Sequence, residues 1–288
     1  MEPRQVVDFY DRHPINEGQI LDALARRGKD LSALTPEDLF DLDQDHYGGL
    51  QAVDALARLG GVGQNSRVLD LCCGLGGPAR FLASRFGCRV AGVDLTHSRC
   101  ASAARLTRLV GLSGRVSFVG GDAVRLPFKA GSFTACLSQE AFLHVPDKAG
   151  ALAECARVLI PGGRLAFTDW VAGPKLSPGE RRRLSEWMAT AGVENFDGYR
   201  RLLSRVGFGA IEAEDLSDWW RRILRERLQM YRRLEAETVA RFGQARYEEY
   251  DQLYAFFVGL VEASKLGGGR FSATLACPQM ASTSKLHY

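Results

Sequence analysis

The sequence predicts an α/β fold built on a doubly wound sheet. Three observations carry that reading. From Arg67 onward, short apolar runs alternate with helical stretches of about 10–15 residues, the rhythm of βαβ units. The first apolar run ends in a glycine-rich turn, "CCGLGGP", that opens directly into a helix. The chain has 288 residues, 46% hydrophobic and 25% charged, which is ordinary globular composition with enough length for a sizeable core.

Residues 1–65 read as a helical cap. "RVLDLC" is the first strand, too apolar to have a solvent face. Gly74 to Pro78 turn the chain into the helix "PARFLASRFG", which Gly87 closes. "CRVAGVDL" is the second strand, and the helix "THSRCASAARLTRLVGL" follows with Thr96 or Ser98 as N-cap. "RVSFVGGDA" and "FTACLSQ" are strands three and four. "DKAGALAECARVL" is a helix that stops before Pro161, and "GRLAFTDW" is the fifth strand. "GYRRLLSRVGF" is helical and "AIEAEDL" is the sixth strand. Residues 217–268 read as one or two long helices, after which "RFSATLAC" returns to the sheet as the last strand.

The domain division follows: a cap at 1–65, a nucleotide-binding core at 66–216, a helical lid or substrate wall at 217–269, and at 270–288 the last strand with a polar, loose tail.

Net charge is +3, from 37 basic and 34 acidic residues, so nothing general draws the chain to nucleic acid or an anionic membrane. No apolar stretch approaches the roughly 20 residues that span a bilayer. "MEPRQVVDFYDRHP" is charged from its start, so no secretory signal is expected. The seven cysteines contain no Cys-x-x-Cys pair. They read as reduced thiols in a cytoplasmic protein, and no metal site is expected. Cys72 and Cys73 are neighbours, and neighbours in a strand point to opposite faces. The basic run Arg181–Arg183 and its companions in 221–233 alternate with acids, as solvated helix faces do. The pattern carries no signal for an oligomeric state.

The glycines carry the chemistry. They let the backbone approach a ligand, and the helix behind them presents free N–H groups. "GLGGPA" also fits the dinucleotide fingerprint, with Asp94 closing the next strand. Asp70 argues against a pyrophosphate, because a carboxylate there repels it and attracts an ammonium group. "GGDAVRLPF" adds Asp122 after the third strand, and "ARVLIPGGRLAFTD" puts Pro-Gly-Gly before the fifth.

In the order and spacing of these motifs, residues 60–170 resemble the class I S-adenosylmethionine-dependent methyltransferases. The resemblance implies a seven-stranded Rossmann-like methyltransferase sheet and S-adenosyl-L-methionine as cofactor. It also implies roles. Asp70 orients the cofactor's amino acid end, with Gly74 and Gly76 passing beneath it. Asp94, with Leu95 beside it, takes both ribose hydroxyls. Asp122 and the Ala123 N–H hold the adenine, and Gln139 lies beside the sulfonium. One departure is plain: Cys72 stands where the family usually has its first glycine.

"DQDHYGG", "SQEAFLH" and "FFVGLVEASKLGGGRFSATLA" extend the likeness to small-molecule N-methyltransferases, particularly the sarcosine and dimethylglycine group. Geranyl, tocopherol and phosphoethanolamine methyltransferases share parts of the pattern, whereas "TDWVAG" and Tyr47 are untypical of the betaine enzymes. The implied reaction is in-line methyl transfer to a small molecule, with an amine nitrogen as the expected acceptor. Carbon or oxygen acceptors, RNA, and cofactor binding without catalysis stay open. Glu140 and His144 are the candidate bases. Tyr10, His46 and Tyr47 are placed to close over the sulfonium, and Trp170 to line the acceptor pocket.

Overall fold

A computed structural model describes residues 3–13 and 15–277. Four helices come first: α1 (Pro3–Asp11), α2 (Glu17–Arg26), α3 (Pro36–Leu39) and α4 (Gly49–Leu59). Then β1 (Arg67–Leu71), α5 (Gly77–Phe86), β2 (Arg89–Asp94), α6 (His97–Leu109), β3 (Val116–Gly120) and β4 (Phe133–Gln139) follow. Next are α7 (Lys148–Val158), β5 (Leu159–Ala172), α8 (Pro178–Met188), α9 (Phe196–Arg205) and β6 (Phe208–Asp215). The chain continues through α10 (Ser217–Arg233), α11 (Glu235–Phe242) and α12 (Gln244–Glu262) to β7 (Leu266–Leu275).

The seven strands lie in the order β3-β2-β1-β4-β5-β7-β6. Strands β1 to β5 pair in parallel, as the alternation predicts. β7 runs antiparallel to both β5 and β6, which makes the sheet mixed. The order reverses between β1 and β4. A crevice therefore opens beyond their carboxyl ends, where such sheets bind ligands.

Strand periodicity sorts the core. Leu69 and Leu71 join Phe167, Tyr199 and Phe271 on one face, while Val68 joins Leu56, Leu82 and Ala166 on the other. Each such side chain contributes about 1.5–3 kcal/mol by leaving water. A third cluster, around Trp170, Trp220, Leu224 and Phe257, packs α10 and α12 against the sheet's end.

Three expectations need correction. The insertion is three helices, broken at Leu234 and Gly243. The last strand begins at Leu266, not Arg270, because Gly267–Gly269 pair with β5. These glycines read as a loop but serve packing: a Cβ on Gly268 would stand 2.3 Å from the Trp220 indole. Thr96 is the N-cap of α6 by position, yet its hydroxyl makes no capping bond. The Asp94 carboxylate takes the Thr96 N–H instead. The expected loose tail, residues 278–288, lies outside the described residues.

Candidate active site

The crevice is walled by strand ends and by the cap. Asp70 is the last residue but one of β1, and Gly74 lies in the turn after the strand. Asp94 and Leu95 come from the end of β2, Asp122 and Ala123 from the loop after β3. Gln139, Glu140 and His144 come from the end of β4 and its following turn, Tyr10 and His46 from the cap. The structure thus gathers most of the sequence-predicted residues around one cleft.

Three stand apart from the cleft wall. Gly76 is in the left-handed region at φ +75°, and a Cβ there would meet the Phe118 ring at 2.4 Å. Its small size serves packing against β3. Tyr47 and Trp170 meet edge to face at 5.4 Å, and Tyr47 also lies 4.9 Å from Trp220. Trp170 is 2% exposed, so its ring belongs to the apolar cluster under the insertion.

One end of the cleft is carboxylate-rich. Asp94 Oδ2 accepts the Gly74 N–H at 2.8 Å, and Oδ1 accepts the Thr96 N–H at 2.8 Å. A carboxylate offers about four acceptor positions, so each oxygen keeps one. Asp70 is buried, and its Oδ2 has no hydrogen-bond partner. Burial, and then the neighbouring Asp94 charge, push the Asp70 carboxyl up to about 7. Cys72 adopts φ +58°, the left-handed backbone that glycine takes freely.

The other end holds a hydrogen-bonded pair. The Tyr10 hydroxyl lies 3.0 Å from His144 Nε2, and His144 Nδ1 lies 2.9 Å from the Ala189 carbonyl. A carbonyl only accepts, so Nδ1 carries the ring proton and Nε2 accepts from Tyr10. Burial lowers the His144 ring to about 4, which keeps it neutral. The Arg99 guanidinium lies over the Tyr10 ring at 4.8 Å and is held by Asp45 at 3.2 Å. Glu140 spends both oxygens on the protein: Oε2 accepts the Tyr47 N–H at 2.9 Å and Oε1 the Thr168 hydroxyl at 2.6 Å. Its backbone is also left-handed, at φ +45°.

Comparison with known proteins identifies the family. A family described as a methyltransferase domain matches residues 69–167. Methyltransferase GfsG of Streptomyces halstedii is 32% identical over 222 residues, 70% of this chain and 80% of that one. The chain belongs to the S-adenosylmethionine-dependent methyltransferases. The sarcosine/dimethylglycine N-methyltransferase of Halorhodospira halochloris is 33% identical over 156 residues, 54% of this chain and 55% of its own. Among solved structures, Haemonchus contortus phosphoethanolamine N-methyltransferase 2, in complex with phosphomonomethylethanolamine and S-adenosylhomocysteine, superposes with TM-score 0.77. It is 24% identical, and the match covers 96% of this chain and 60% of that one.

The cleft of the methyltransferase fits its cofactor. A buried carboxylate oxygen without a partner suits a cationic ammonium group, and the free acceptor positions on Asp94 suit hydroxyl donors. Among the described residues, no group of three His, Cys, Asp or Glu side chains is placed to hold a metal, and no helix is long and apolar enough to cross a membrane.

Sequence reasoning missed what lies beneath the glycine turn of this methyltransferase. Arg80 and Asp43 form an ion pair at 2.8 Å with neither side chain exposed. Arg80 also donates to the Leu75 carbonyl at 2.7 Å, inside the turn. The signal was an arginine in "GGPARFLASRF" flanked on both sides by buried apolar residues, Ala79 and Phe81. Its partner lies in "DQDHYGG", a segment the sequence singles out for other residues.

Proposed function

We propose that the methyltransferase moves a methyl group to the amine nitrogen of a small molecule. The observation that carries this is the Tyr10 hydroxyl seated on a neutral His144, in a cleft otherwise rich in carboxylates. Similarity to the sarcosine/dimethylglycine enzyme supports a nitrogen acceptor.

When bound, S-adenosylmethionine supplies a methyl group on positively charged sulfur, open to in-line attack. In this reading Asp70 holds the cofactor's ammonium end above Gly74. Asp94 receives the ribose hydroxyls beside Leu95, and Asp122 and the Ala123 N–H receive the adenine. An amine must be neutral to attack, so in this reading Tyr10 takes its proton while passing its own to His144 Nε2, a transient step because burial disfavours the imidazolium. Methyl transfer moves the sulfonium charge onto nitrogen while the abstracted proton's charge rests on His144, and Asp45, Asp70 and Glu140 line the cleft that holds both. Glu140, with both oxygens engaged, positions the 43–49 segment and leaves the proton to Tyr10 and His144. The cap, through Tyr10 and His46, shields the reacting atoms from water.

An oxygen acceptor is the second reading, since the same Tyr10–His144 pair can take a hydroxyl proton. Neither reading takes a nucleic acid as acceptor, which is supported by Arg221 and Arg246 pairing with acids on their own helices and Arg225 and Arg232 with acids of α12. With all seven cysteines as free thiols, we place the enzyme in the cytoplasm. Incubation with methyl-labelled cofactor and a metabolite extract, followed by mass spectrometry, tests the assignment. A labelled amine is expected. A labelled ether transfers the role to oxygen, and labelled RNA overturns it.

A further inference from the structure

We propose that the buried Arg80–Asp43 pair dictates which way the Gln139 amide faces, so that Gln139 presents its carbonyl to the cleft as a fixed acceptor for an N–H donor at the point of transfer. The choice of an N–H donor rests on the amine reading above; the chain of hydrogen bonds does not.

The chain has five members, and one contact competes with it: the Tyr47 carbonyl lies 3.5 Å from His46 Nδ1, longer than the 3.0 Å from Nδ1 to Gln139 Nε2. Arg80 only donates, and its Nη2 and Nε lie 2.8 and 3.2 Å from Asp43 Oδ2. Asp43, fully buried against that cation, acts as a carboxylate and only accepts. Gln44 lies 2.6 Å from Asp43 Oδ1, so it turns its NH2 there and its Oε1 the other way. That Oε1 is 2.8 Å from His46 Nε2, which must therefore carry the ring proton. Burial lowers the His46 ring to about 4, so at neutral pH Nδ1 has no proton and accepts. Gln139 Nε2 lies 3.0 Å from Nδ1 and donates to it. The remaining polar atom of Gln139, its Oε1, makes no hydrogen bond among the described residues, and Gln139 lines the cleft.

Each step reverses if the step before it reverses. A charge sealed beneath the glycine turn is thereby expressed as the polarity of an amide at the far side of the cleft. Without the chain, an amide presents N–H or C=O at nearly equal cost. With it, only the carbonyl faces the ligand, an arrangement that attracts ammonium and repels a bare acceptor. The same Arg80 holds the Leu75 carbonyl, so the glycine turn and Gln139 share one anchor. Gly77 completes the contact: a Cβ there would stand 2.3 Å from the Asp43 carbonyl oxygen, so the 43–49 segment sits directly on the turn.

Two measurements test this on the intact protein. Long-range ¹H–¹⁵N NMR reads the His46 tautomer. The neutral ring protonated on Nε2 is expected, and a ring protonated on Nδ1 overturns the proposal. Calorimetry then compares S-adenosylhomocysteine with sinefungin, the cofactor analogue in which carbon replaces the sulfur and an amine replaces the transferred methyl group. The unaltered protein is expected to favour sinefungin. Gln139→Met keeps the shape and removes the carbonyl, and should lose about tenfold of that preference, read as the ratio of the two affinities within the variant. Gln44→Met leaves the Arg80–Asp43 pair intact, and should lose the same preference together with the single His46 tautomer. An undiminished sinefungin preference in both variants rejects the role given to the carbonyl. Failure of the unaltered protein to bind either ligand strikes instead at the cofactor reading, while the tautomer result still judges the chain.

Discussion

The Arg80 guanidinium lies 2.8 Å from the Asp43 carboxylate, and neither side chain reaches solvent. Desolvating both charges is expensive, and their attraction offsets it only while both are present. Arg80→Met alone leaves a buried carboxylate, and Asp43→Leu alone leaves a buried guanidinium. Each is expected to cost about 3–5 kcal/mol, read as a lower urea midpoint. The double variant removes both charges and should recover much of the loss. Its stability, set against the two single variants, measures the coupling directly.

If Asp70 holds the cofactor's ammonium end, as proposed, cofactor affinity depends on pH. Its carboxyl titrates near 7 in the free protein, because burial and Asp94 disfavour the charge. A cationic group needs the ionised form. Affinity for S-adenosylmethionine should therefore tighten as pH rises to about 7 and level off above it. Asp70→Asn should bind more weakly and flatten that dependence. Stability moves the other way. The folded carboxyl keeps its proton above the unfolded value, so ionisation penalises the native state as pH rises from about 4 to 7. Asp70→Asn escapes this penalty. Its stability relative to the unaltered protein should improve across that window by roughly 2–4 kcal/mol, then stay constant. A gap independent of pH would mean that Asp70 is ionised throughout.

Variants at Tyr10, the partner of His144, and at Glu140 separate the two candidate bases, His144 and Glu140, that the sequence leaves together. Tyr10→Phe keeps the ring under Arg99 and removes the hydroxyl on His144. Turnover should fall by about 10²–10⁴, with cofactor affinity preserved. Glu140→Gln retains an acceptor for the Tyr47 N–H and offers an NH2 to the Thr168 hydroxyl. Its turnover should stay within about tenfold of the unaltered enzyme, the scale of one weakened hydrogen bond. A loss as large as that of Tyr10→Phe would make Glu140 the base after all.

The contrast between Glu140 and Arg80 shows how far a sequence can be read. Strands and helices were legible because burial enforces a period on the apolar residues, as Val68 and Leu69 do by facing opposite layers. The cleft wall was legible because it is built from strand ends, where Asp70, Asp94 and Asp122 each lie in or follow a recognisable run. Roles set by tertiary contact were not. Nothing local tells that Glu140 grips the Tyr47 backbone across 93 positions of chain, or that Arg80 reaches Asp43 across 37. Tyr47 and Trp170 were misplaced for the same reason. Aromatic residues near a cleft can serve it or seal the layer behind it, and here α10 and α12 bring Trp220 and Phe257 to form that layer. The strand at Gly267–Gly269 was hidden because β-propensity counts against glycine, while Trp220 and Ser217 demand it.

Cys72 is the remaining departure from the family pattern, and its backbone says what replacement should do. At φ +58° a Cβ costs roughly 1–2 kcal/mol, which glycine escapes. Glycine in turn loses about 0.5–1 kcal/mol more on folding, through the greater freedom of the unfolded chain. The first effect is the larger, so Cys72→Gly should stabilise the protein slightly, by up to about 1 kcal/mol. Cys72→Ala retains the Cβ and should bring no such gain. The two variants share the loss of the thiol, so the difference between their urea midpoints isolates the backbone. If alanine stabilises as much as glycine, the thiol rather than the left-handed turn is the source of strain at this position.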